Sequence, residues 1–150
     1  MHPFDIKSAL MARHAQHVVL IHFPIALFIT GVAFDIVAQR IKHRALAEAA
    51  YFNLLVGALS TLPVLATGIL AWQFQLEGQK LKGILLLHML LAGTSTVMIW
   101  LVWWLHRRRR RPRSVPTGYG YLMSLEILAV AVISLTGHLG GFLSGVNGPG

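Results

Sequence analysis

Residues 17–38 read HVVLIHFPIALFITGVAFDIVA. In these twenty-two residues the only acidic or basic side chains are one carboxylate, Asp35, and two imidazoles, His17 and His22. A helix rises 1.5 Å per residue, so about 20 apolar residues cross a hydrocarbon core of about 30 Å. The apolar part of this stretch, 18–38, is followed by three runs of similar length at 50–72, 83–105 and 121–143. The whole chain of 150 residues is 55% hydrophobic and only 12% charged, about half the charge fraction of an ordinary soluble domain. Lipid offers no hydrogen-bond partners, so each run must satisfy its own backbone as a helix. The expectation is an all-α polytopic membrane protein, a four-transmembrane-helix bundle. Residues 1–16 are expected as an amphipathic segment on the outer surface, 17–143 as the transmembrane domain and 144–150 as a tail. The first run is too long for a signal h-region, and AQRIKHR follows it in place of a small-residue cleavage site, so it reads as a span and not a secretory signal.

The formal charge of +8 is unevenly placed. Arg40, Lys42 and Arg44 follow the first run, and Arg107 to Arg111 with Arg113 follow the third. In a four-pass chain these segments share one side, and they hold nine of the thirteen Lys and Arg. Positive loops stay cytoplasmic. The termini and the loop QLEGQKLKG (75–83) are therefore expected in the periplasm, with the protein in a bacterial inner membrane. The arginine run reads as a topology anchor that meets anionic lipid. No base-reading module accompanies it, so no nucleic-acid partner is expected. The chain has no cysteine, which excludes disulfides, thiolate metal sites, iron–sulfur ligation and covalent haem attachment through C-x-x-C-H.

Histidine carries the chemical signal. His22 and His88 lie about five residues inside the first and third runs, and His138 about five residues before the end of the fourth. At 1.5 Å per residue all three sit roughly 7–8 Å below the outer boundary. His14 and His17 stand above them. An imidazole in a membrane span is costly and by default marks a functional site. The plainer alternative is a hydrogen bond to a backbone carbonyl or to Thr94 or Thr136. Two facing imidazoles in a dry bundle suit haem b. His22, His88 and His138 are the candidate axial ligands, two ligating and the third nearby, with His17 also in reach. Gly137 and Gly141, with Gly140 and Gly145, would leave room for a flat ring, although they read equally as close helix packing. Arg13, Lys80 and Lys82 could meet propionates. The rival is a copper or zinc ion on His22, His88 and His138. His17 and His22 are about 140° apart on an ideal helix, so they do not converge on one compact site unless Pro24 distorts it. His43 and His106 read as interfacial, among the arginines, and His2 carries little signal. Asp35, Glu126 and Asn53 could form a polar cluster at the inner leaflet that binds a quinone head group or passes protons, with simple pairing to Arg40 or Tyr121 as the alternative.

The stretch HVVLIHFPIALFITGVAFDIVA, LATGILAW in the second run, the lone His88 in the third and TGHLGGFLSG closing the fourth together resemble a bacterial family of small four-helix membrane proteins marked by an HFPIAL motif. The match covers about residues 14–148. The resemblance implies a four-helix transmembrane domain and assigns no activity. Members are found beside or fused to redox proteins such as Rieske-type modules, which implies electron transfer by association. His14 and the long arginine run look particular to this chain.

Two readings follow. One is a b-type cytochrome-like electron-transfer protein, with a periplasmic cytochrome, a quinone or an attached redox subunit as partner. The other is a cofactor-free structural subunit of a larger respiratory or photosynthetic complex. A weaker third is His-based metal-ion binding or transport. No nucleophile–base pair or carboxylate dyad emerges, so an independent enzyme is not expected.

Overall fold

A computed structural model describes residues 13–75, 80–110 and 119–144 of the chain. Most of the expected amphipathic segment 1–16, the centre of the loop 75–83, residues 111–118 and nearly all of the tail lie outside them. The described residues form five helices: α1 Arg13–Leu20, α2 His22–Ile41, α3 Arg44–Gln75, α4 Gly83–Arg109 and α5 Tyr119–Leu143. Four stretches are long and apolar enough to cross a membrane, and α1 with α2 supplies the first, Gln16–Ile41.

The break between α1 and α2 is slight. Ile21 donates its N–H to the His17 carbonyl at 3.0 Å, so the helical path continues through it. Pro24 is the third residue of α2 and is buried. Because the path is continuous, Pro24 withholds the N–H that would otherwise bond the Leu20 carbonyl, and the helix is interrupted just ahead of it, at Ile21. The α2–α3 turn is tight. Lys42 takes a left-handed backbone conformation (φ 54°) and donates its N–H to the Ala38 carbonyl. His43 then caps α3, its Nδ1 accepting the Leu46 N–H at 3.3 Å. At the far end of α4, Arg107, Arg108 and Arg109 occupy the last turn, where cations meet the negative end of the helix dipole. Arg108 lies 3.9 Å over the Trp104 ring and Arg110 lies 4.3 Å over Tyr51 while pairing with Glu48.

The helices are tied most extensively as two pairs, α2 with α3 and α4 with α5. Phe28, Val32, Leu54, Ala58, Met98, Ile99, Val102, Ala129 and Ile133 form one buried core between them. Gly31 lets α2 and α3 approach closely: a Cβ there would stand 3.0 Å from Leu54 Cγ and 3.3 Å from the Ala50 carbonyl oxygen. The core does not run the full length of the bundle. No residue of 62–74 in α3, 83–94 in α4 or 134–143 in α5 is buried. The bundle therefore has a closed end, beside the arginines, and an open end, where the candidate histidines sit.

Candidate functional site

The burial pattern fixes which face of each helix looks inward. In α2 the buried stripe holds Pro24, Phe28, Gly31, Val32, Asp35 and Ala38. Seven residues are nearly two turns, so His17, seven before Pro24, continues that stripe. In α4 the stripe holds Ser95, Met98, Ile99 and Val102, and His88 lies seven before Ser95. Both imidazoles make inward contacts that agree. The His17 ring lies against Gly68 of α3, its Cε1 3.0 Å from where a Cβ would be. The His88 ring lies against Gly140 of α5, its Cε1 3.2 Å from the corresponding point. The glycines of α3 and α5 thus seat imidazole rings.

The hydrogen bonds fix the tautomers. His88 Nδ1 is 3.2 Å from the Thr136 carbonyl oxygen. A carbonyl only accepts, so Nδ1 carries the proton and Nε2 carries the lone pair. His17 Nδ1 is 3.1 Å from Thr67 Oγ1. The Thr67 hydroxyl is also 2.9 Å from the Pro63 carbonyl; with its proton given there it accepts from His17 Nδ1, and the lone pair then sits on Nε2. Metal-ligating histidines commonly have their second nitrogen held in this way.

His22 and His138 are placed differently. His22 lies two residues before Pro24, about 160° round the helix from it. It is exposed, and its Nδ1 donates to the Val18 carbonyl at 2.7 Å. His138 lies five residues beyond Ile133, about 140° from the inward stripe. It is also exposed, with its ring edge-on to Phe142 at 5.0 Å. Gly137 is filled by Ile25, whose Cδ1 is 3.5 Å from its Cβ position, so it serves the α2–α5 contact. Gly141 is half-buried, and its carbonyl accepts the Ser144 hydroxyl at 3.0 Å. The side chains of Arg13 and His14 lie outside the described ones; Lys80 and Lys82 are exposed at the open end.

The closed end holds a cluster that the sequence only half disclosed. Asp35 of α2 and Glu126 of α5 are both buried, Glu126 completely. His106 of α4 stands between them. Its Nε2 is 2.6 Å from Glu126 Oε1 and its Nδ1 is 3.9 Å from Asp35 Oδ1. One ligand atom from each of the three lies within 4.8 Å of the others, and among the described residues no other group of three His, Asp or Glu does so. Gln39 donates to Asp35. Glu126 Oε2 is buried with no hydrogen-bond partner. Asn53 does not join: its amide turns back to the Ala49 carbonyl of its own helix at 2.9 Å. His106 looked interfacial because five arginines follow it. It lies four residues after Val102, whose burial only the structure shows.

A family model described as a predicted membrane protein (DUF2231) matches residues 13–148. No curated protein and no solved structure matches the chain.

Proposed function

The chain belongs to the DUF2231 family of predicted membrane proteins, and we propose, from its own residues, that it is an electron-transfer protein of the membrane. In this reading the open end of the bundle would hold haem b, with His88 and His17 as the residues that would ligate it. The observation that supports it is the coincidence of two features. His17 and His88 continue the inward stripes of their helices with Nδ1 held by an oxygen, which leaves Nε2 as the ligating nitrogen. They do so beside 83–94 of α4 and 134–143 of α5, where no side chain is buried, and in this reading haem would cover those inward faces. Bound haem would supply one-electron chemistry. The chain's part is to orient the imidazoles and to exclude water below them through the Phe28–Val102–Ile133 core.

The reading places the arginine end in the cytoplasm and the haem near the periplasmic face of a bacterial inner membrane, within reach of a periplasmic cytochrome or a quinone. His22 and His138, on the outward faces, would meet lipid head groups or such a partner. The test is a pyridine haemochrome assay and a reduced-minus-oxidised spectrum on protein purified with ample haem supply. A b-type signal near one haem per chain is expected. A flat spectrum from folded protein would refute the reading and favour a cofactor-free subunit of a larger complex.

A further inference from the structure

We propose that Asp35, His106 and Glu126 form a binding site for one divalent transition-metal ion at the closed end, separate from the imidazoles of the open end. Three observations carry it. The first is convergence: donor atoms from three different helices lie within 4.8 Å of one another, close enough to reach one ion at about 2.0–2.2 Å each after small side-chain rotations. The second is the orphaned oxygen. Glu126 is 0% exposed, its Oε1 engages His106, and its Oε2 has no partner. A buried carboxylate oxygen without a partner is costly, and a metal bond removes that cost directly. The third is charge. Two carboxylates are held out of water around a single imidazole, with Arg109 acting on Asp35 from beside them, and a divalent cation would offset carboxylate charge that is strongly unfavourable when buried without a partner.

The donor set selects the class of ion. One imidazole nitrogen and up to four carboxylate oxygens, with no sulfur, suit manganese, iron or zinc as divalent ions. A groove of about 380 Å³ opens between α2 and α5, lined by Ile36, Gln39, Arg40, Gly120 and Met123. Gln39 lines it and also holds Asp35, so the outer carboxylate of the site is one residue from the groove. Gln39 then acts as the neighbour that orients a ligating carboxylate.

The experiment titrates the purified full chain in detergent with Co²⁺ alone, read by its ligand-field bands, and with Zn²⁺ alone, read by elemental analysis after gel filtration. One ion per chain is expected at this end. Glu126→Gln and Asp35→Asn should each weaken retention by roughly tenfold or more, while Glu48→Gln, at the exposed ion pair with Arg110, should leave it unchanged. Helical circular dichroism and elution volume check folding, and if Glu126→Gln does not fold, Asp35→Asn decides. Retention that survives in both folded variants, or folded wild-type protein that retains neither ion, overturns the site. His88→Ala must leave the closed-end metal in place; it removes the ligand of the haem reading only, so the two proposals fail separately.

Discussion

The two ends of this bundle are built on the same helical stripes and are filled in opposite ways. At the closed end the inward positions are Phe28, Leu54, Val102 and Ile133, and the polar groups among them, Asp35, His106 and Glu126, are bonded or gathered by neighbours from other helices. At the open end the same stripes pass to His17, Gly68, His88 and Gly140. Small or polar inward residues cannot close a core, since a core needs apolar volume from both sides at interior density. The lesson is that a bundle can hold its shape from one end and present chemistry at the other. The core that positions the helices lies toward the arginine end, and the imidazoles are carried beyond it, His17 seated on α3 and His88 on α5.

That contrast sets a ladder of effects. The largest should come from Phe28→Ala, which empties a fully buried site and should cost about 3–5 kcal/mol in reversible unfolding by titration with denaturing detergent. The matched change at the open end, Leu87→Ala, removes a half-exposed side chain and should shift the unfolding midpoint far less. Equal losses would show that the open end is packed after all. Next comes Gly31→Ala. Its new methyl meets both a side chain and a backbone oxygen, and overpacking of that kind costs about 1–3 kcal/mol. Gly93→Ala meets nothing within 4 Å and should be neutral or slightly stabilising, because alanine is the better helix former by up to about 1 kcal/mol. The smallest effect is expected from Arg108→Ala. It removes the stacking on Trp104, worth about 0.5–1 kcal/mol at an exposed site, and should be visible only as a small fall in thermal midpoint.

The four spans were legible from run length alone. The sequence runs understated the helices at their polar ends. α3 begins at Arg44 and ends at Gln75, beyond the apolar stretch 50–72, because backbone hydrogen bonding continues past the hydrocarbon limit. Asp35 and Glu126 were legible as a possible pair on one side of the membrane. Depth was also legible for His22, His88 and His138, but depth does not choose a face. A step of seven residues from Pro24 and from Ser95 singles out His17 and His88. The step could be used only once the structure showed which residues are buried. His106 was hidden by composition, since an imidazole next to five arginines looks like surface. Only the packing of α4 against α3 and α5 turns it inward.

The most direct measurement compares haem content in four single variants prepared with the same haem supply: His17→Ala, His88→Ala, His22→Ala and His138→Ala. The inward-facing pair should lose the b-type spectrum, or for His17→Ala shift it to a high-spin form with one ligand remaining. The outward-facing pair should keep it. A signal that persists in His88→Ala, or one lost in His22→Ala and His138→Ala but kept in the inward pair, would contradict the account.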